Sequence, residues 1–165
     1  MDLTNSIIGI AILVFFLLPV FFIAKAGKNK KNRLLKELES EAKLNDITLT
    51  ESDYWDESAI GIDSVKGKII FINERGEDKK FYNLSISDLK SFNTVPSSDS
   101  TGKISGNLKK AERLAVVFSF RQKEQPDLVI DFFTPGFGKM SESDIERFIR
   151  WSDLIRNLFS PTLNK

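Results

Sequence analysis

The chain of 165 residues contains no histidine and no cysteine. Histidine is the commonest general base and metal ligand near neutral pH, so its absence removes both roles at once. Without either residue, zinc sites, thiol nucleophiles and Ser-His catalysis are all but excluded. Lack of cysteine also rules out a disulfide framework and agrees with a reducing compartment. Charge of one sign is equally scarce in net terms, since 24 Lys and Arg stand against 23 Asp and Glu, for a formal +1. No global field therefore points to nucleic acid or to an acidic substrate. Nothing marks a cofactor, a metal or a small-molecule substrate, and the chain reads as a non-enzyme.

What the chain does have is a long apolar run, Ile7 to Ala24 (IIGIAILVFFLLPVFFIA), without an ionisable side chain. About 18 residues at about 1.5 Å each make roughly 27 Å of helix, close to the roughly 30 Å of bilayer hydrocarbon. Gly9 and Pro19 are tolerated in a span, although Pro19 frees a backbone carbonyl and should bend it. A cleaved signal peptide would want a positive start and a small-residue cleavage site. Here the first six residues carry only Asp2, and Ala24-Lys25-Ala26 sets a charge between the two alanines. The expectation is an uncleaved anchor over residues 1–25, with the lipid bilayer as its first partner.

Orientation follows from the basic cluster after the run: Lys25, Lys28, Lys30, Lys31, Arg33 and Lys36. Basic residues flanking a span stay cytoplasmic, so the N-terminus should lie outside and the large C-terminal part inside, at an inner (cytoplasmic) membrane. The same cations can also attract anionic headgroups, at about 1 kcal/mol per residue.

Residues 26–46 read as a basic linker and a short amphipathic helix, about Lys31 to Asn45, with Leu34, Leu38 and Ala42 at helical spacing. Its basic start and acidic middle oppose the helix dipole, so packing or the membrane must hold it. Amphipathic helices usually serve a core, so docking against the domain is favoured over binding a partner.

From Ile47 the period changes to two. Candidate strands are Ile47–Glu51, Trp55–Ile62, Lys68–Asn73, Lys80–Ile86, Ser91–Val95, Arg113–Arg121 and Leu128–Thr134. Short turn-rich connections between them favour an antiparallel meander. Residues 96–107 (PSSDSTGKISGN) form one polar loop. The closing pattern predicts a helix over about Glu142 to Phe159, with Ser141 and Asp144 as a capping box and Pro161 as a stop. Its stripe of Ile145, Phe148, Ile149, Ser152, Ile155 and Phe159, widened by Trp151, Leu154 and Leu158, must be buried against the sheet.

About seven antiparallel strands followed by one amphipathic helix resembles the pleckstrin-homology-like superfold, and a Trp near the middle of the last helix, here Trp151, is typical of it. The resemblance covers about Ile47 to Phe159. It implies an α+β fold, a bent antiparallel sheet capped by the helix over residues 47–165, serving as a binding or scaffolding module. Phosphoinositide-binding members carry a Lys-rich first hairpin; this chain offers only Lys66-Gly67-Lys68, followed by Ile69 and Ile70, so that activity is not implied. The span, the basic linker and the Trp55…Ile60-Gly61-Ile62-Asp63 stretch are also similar to small membrane-anchored proteins of Bacteroidetes-type bacteria.

Other motifs carry little. Gly136-Phe137-Gly138 lies between a strand and a helix, but position 141 is Ser where a phosphate loop needs its third glycine. Asp56 with Glu57 and Glu142 with Asp144 are acid pairs of the kind found in turns and first helical turns. The expected function is a membrane-anchored, non-catalytic binding module, serving another membrane or envelope protein as an accessory subunit. The alternatives are a sensor of anionic lipid surfaces and an exported periplasmic domain.

Overall fold

Period-two patterning from Glu51 onward becomes antiparallel strands, and the helical patterning on either side becomes two helices. The computed structural model describes residues 30–74, 78–96, 108–134, 136 and 138–159. The apolar run at 7–24, Lys25, Lys28 and most of the polar loop lie outside them. Among the described residues no helix is long and apolar enough to cross a membrane.

Helix α1 covers residues 30–44. Strands β1 (Glu51–Trp55), β2 (Ser58–Asp63), β3 (Lys68–Asn73) and β4 (Lys80–Ser85) follow as a meander, forming one sheet in the order β1-β2-β3-β4. Strands β5 (Leu89–Val95), β6 (Leu114–Phe120) and β7 (Leu128–Phe133) form a second antiparallel sheet, and α2 (Glu142–Phe159) closes the chain. The seven strands thus divide into two sheets. The division falls at a 3-10 turn, Ile86–Asp88, where the chain turns a corner. Ile86 N–H donates to the Gly67 carbonyl of the first sheet, and the Asp88 carbonyl accepts the Arg121 N–H beyond β6.

β4 ends one residue short of its expected bound and β5 begins at Leu89 rather than Ser91; the larger departures are in the first two strands. Residues 47–49 are extended but outside any strand, and the stretch expected as one strand from Trp55 to Ile62 is broken by a two-residue turn at Asp56-Glu57, with Trp55 paired to Ser58. Asp56 takes φ 47°, a left-handed conformation that aspartate tolerates better than most residues. A glycine or asparagine there would have announced the turn; Trp-Asp-Glu-Ser does not.

The first sheet is covered on both faces. On one, Ile60, Ile62, Ile69, Phe71 and Leu84 pack against Val116, Phe118, Ile130 and Phe132 of the second sheet and against Phe148, Trp151 and Ile155 of α2. On the other, Leu34, Leu38 and Ala42 of α1 cover Ala59, Ile70 and Ile72. Every residue of β2 is buried, as are the four central residues of β3. Burial on both faces explains why Ile69-Ile70-Phe71-Ile72 does not alternate with polar residues. Gly61 leaves room for Leu49 and for Leu38 of α1, since a Cβ there would lie 2.6 Å from Leu49 Cδ2 and 3.3 Å from Leu38 Cδ2.

Each tryptophan buries its ring and satisfies its N–H by joining two elements. Trp55 Nε1 donates to the Asp131 carbonyl on β7 (2.9 Å), and its ring stacks on Phe132 at 4.6 Å. Trp151 Nε1 donates to Asp53 Oδ2 on β1 (3.1 Å). At the N-terminus of α2, Ser141 N–H donates to Asp144 Oδ2 and Asp144 N–H donates to Ser141 Oγ, the reciprocal capping box the sequence predicts.

The β2–β3 turn is held by buried Asp63. Its Oδ1 accepts the Val65 and Lys66 N–H groups and its Oδ2 the Thr48 N–H, at 2.9–3.0 Å. Burial works against its charge, but these three donors and the Lys66 ammonium outweigh it and hold the carboxyl below its ordinary pKa.

Two outcomes follow for stability. Leu38→Ala, which empties a fully buried site between α1 and the sheet, should cost about 2–5 kcal/mol. The reading is a lower urea midpoint at unchanged m, and an unshifted midpoint would remove α1 from the folded unit. Because the folded pKa of Asp63 lies below the unfolded value of about 3.9, its contribution is complete above that pH and is lost as pH falls through the folded value. Asp63→Asn should therefore be less stable at pH 7 and flatter in its acid dependence below about pH 4; an acid limb identical to the wild type would contradict this.

Candidate functional site

The cations expected to face lipid divide once α1 is in place. Lys30 Nζ lies 2.6 Å from Glu57 Oε1 at the β1–β2 turn, and Arg33 Nη2 lies 2.5 Å from Glu74 Oε2 just past β3. One turn on, Glu37 pairs with Lys79, which also reaches Glu74 at 2.8 Å. Residues 30, 33 and 37 form a charged row beside the apolar row 34, 38 and 42, so the helix that buries its leucines also brings these charges onto the sheet. Lys31 and Lys36 point to water and pair with no described residue. Lys25 and Lys28 lie outside the described residues.

The hydrogen bond to Glu57 raises the pKa of Lys30 against a small desolvation penalty. Partial burial opposes the charge on Lys79, but its bonds to Glu37 and Glu74 outweigh it and leave the pKa raised. Glu74 is held low, chiefly by the hydrogen bond from Lys79 and then by the charges of Lys79, Arg33 and Lys30. All four ion pairs therefore persist across the neutral range. The more exposed Lys30–Glu57 pair contributes little, whereas Glu74 and Lys79 sit inside the network and contribute more.

This row fixes the two ends of the domain. The first described residue of α1, the β1–β2 turn, Glu74 and Lys79 share one end. At the far end, Lys66 Nζ pairs with Asp46 Oδ2 at 2.6 Å and Lys68 Nζ donates to the Asn45 carbonyl, tying the β2–β3 turn to the close of α1. The two lysines weighed as an inositol-lipid hairpin are thus engaged with the chain itself. Gly136 and Gly138 have φ of 95° and 115°, and a Cβ at either would meet no described atom within 4 Å; Phe137 lies outside the described residues. Glu57 belongs to the ion-pair row, and Asp144 caps α2.

Two surface features went unseen in the sequence because each joins residues far apart in it. A recess of about 520 Å³ opens at the far end between the β2–β3 turn, the end of β4 and the last turns of α2, with Val65 89% exposed at its rim. A trough runs along β4, as adjoining cavities of about 420 and 260 Å³ that share Asn83, Leu84, Phe120 and Gln125. Phe81, at 46% exposure, stands at its lip. The charged residues lining them are Lys66 in the recess and Asp88, Arg121 and Asp127 in the trough. Among the described residues no cluster of Asp and Glu could hold a metal ion.

Lys79→Ala should lower stability by about 1–3 kcal/mol, because it strips charged hydrogen bonds from Glu37 and half-buried Glu74, whereas Lys31→Ala, a solvent-facing control, should stay within about 0.5 kcal/mol. Equal urea midpoints for the two variants would show that the row does not secure α1. Compared with family models, curated proteins and solved structures, the chain matches none of them.

Proposed function

We propose that the chain is a single-pass, non-catalytic binding module of the inner membrane, with a PH-like domain on the cytoplasmic side that engages another membrane or envelope protein. The observation that carries this reading is that α1 is bolted to the domain immediately after the apolar run and its basic flank. Residues 25–29 reach at most about 18 Å, so an anchor at 7–24 would hold the domain close to the bilayer by its ion-paired end. The far-end recess and the β4 trough would then stay clear of the lipid. Four strands, then three, then a helix whose Trp151 faces inward is the element order of PH-like domains and supports that assignment. The lipid-sensor alternative is weaker, since Lys30 and Arg33 are taken up by Glu57 and Glu74.

The naturally cysteine-free chain makes the test direct. Alkaline carbonate should leave the full chain in the membrane pellet. An impermeant maleimide should label Ser87→Cys, at an exposed site, only after the cells are opened. Purified in mild detergent with its first 29 residues intact, the chain should carry a partner polypeptide at fixed stoichiometry. Release by carbonate or labelling in intact cells defeats the topology, and a lone chain in detergent defeats the binding role.

A further inference from the structure

Two sheets present four end strands, and three of them are guarded by the chain itself. β1 carries Glu51 and Asp53, held by Arg150 (2.5 and 3.8 Å) and Arg147 (3.5 Å) of α2. β5 has a register shift between Leu89 and Ser91, and Phe92 lies against Phe159 with ring centroids 5.1 Å apart. β7 follows a register shift at Leu114–Ala115 and sets Asp131 against Arg113 at 2.6 Å. Inward charges, bulges and covers are the usual means by which proteins block strand addition. Among the described residues β4 has no bulge, inward charge or cover, its one charged residue being Lys80 at its very start, and its register with β3 runs unbroken from Lys68↔Ser85 to Asn73↔Lys80.

The hydrogen-bond pattern shows which groups that edge offers. Ile86 N–H donates to the Gly67 carbonyl opposite it (2.9 Å), which makes this a hydrogen-bonded pair of the ladder. Alternation then turns Leu84 and Tyr82 toward β3 and leaves the N–H and C=O of Phe81, Asn83 and Ser85 pointing outward. None of these meets a partner among the described residues. In front of them lies the trough, with Phe120 and Leu128 on its opposite wall.

We infer that this edge receives an extended segment of another protein as a fifth strand. Two apolar side chains of that segment, at i and i+2, enter the trough between Tyr82 and Leu84 on one side and Phe120 and Leu128 on the other. The inference rests on the anchored reading, which also selects the occupant. A second copy could share the same edge symmetrically only by antiparallel two-fold pairing. That places the two α1 starts at opposite ends of the joined sheet, so only one could face the bilayer from which the preceding 29 residues arrive.

The test pans the full chain in nanodiscs against a random-peptide phage library. Enriched sequences should carry apolar residues at alternate positions, and a synthetic peptide of the consensus should slow exchange at the amides of Phe81, Asn83 and Ser85. Asn83→Pro removes the central outward N–H and spares the β3 ladder, so it should weaken binding about ten-fold. Asn83→Ala keeps that N–H, loses only the side-chain bond to Asn45, and should bind as the wild type does. Gln125→Trp, from an exposed turn, fills the trough without touching β4 and should weaken binding too. Failure to enrich any peptide overturns the proposal. So does affinity that Asn83→Pro and Gln125→Trp leave unchanged, although binding elsewhere would leave the wider binding role standing. Self-association in nanodiscs that Asn83→Pro abolishes would instead assign the edge to a second copy.

Discussion

A sheet whose central strands are apolar on both faces cannot meet water on either, and the arrangement of this domain follows from that constraint. Ile60, Ile62, Ile69 and Phe71 look one way, Ala59, Ile70 and Ile72 the other. Burying each large side chain is worth about 1.5–3 kcal/mol, an upper estimate because an unfolded chain is already partly compact. Surface ion pairs are worth about 0–1 kcal/mol each. The leucines of α1 therefore hold the helix on the sheet, and the charged row from Lys30 to Glu37 sets its rotation and its height along the strands. A helix that reads as a connector is a structural layer of the fold.

The opposite face is closed by pieces distant in sequence, and polar handles keep them in register. Trp55 ties β1 to β7, and Trp151 ties α2 back to β1 through Asp53. Asp53 lies on the inner face of an edge strand, where a carboxylate would be costly without donors. The Trp151 Nε1–H and the Tyr54 N–H supply them, and the Arg147 and Arg150 guanidinium groups add opposite charge at 3.5 and 3.8 Å. One acidic side chain thus serves both as partner for the last helix and as guard for the first strand.

Elements whose pattern is local were legible in the sequence. β3 has its expected bounds; β6 and β7 lie within theirs; α2 has its expected span, its capping box and its inward Trp151, Phe148 and Ile155. The boundary of β1 and β2 was not legible, because its turn is made by Asp56 and Glu57, which carry no strong turn signal. Nor was the division into two sheets, which depends on Ile86 and Asp88 bonding to Gly67 and Arg121 across the fold. The basic cluster was legible as charge but not as destination. A sequence shows Lys30 and Arg33 beside an apolar run, whereas Glu57 and Glu74 come next to them only when the hairpins fold back. The trough along β4 is invisible for the same reason, since its walls are about forty residues apart and join through packing.

The domain is therefore asymmetric in what it leaves unsatisfied. Among the described residues, acids on the turns neutralise Lys30 and Arg33 of α1, leaving Lys31 and Lys36 exposed at that end, while Lys25 and Lys28 lie outside the described residues. At about 1 kcal/mol per cation near an anionic surface, a handful of cations attracts a membrane weakly, and on the anchored reading the covalent span does the holding. Among the described residues, the groups that still lack partners lie along the side of the first sheet and at its far end: the outward backbone of β4 and the side chain of Val65. On the proposed reading, a body that spends charges on internal bolts at one end, and keeps a hydrogen-bonding edge open elsewhere, would hold a polypeptide beside a membrane better than it would read the membrane itself.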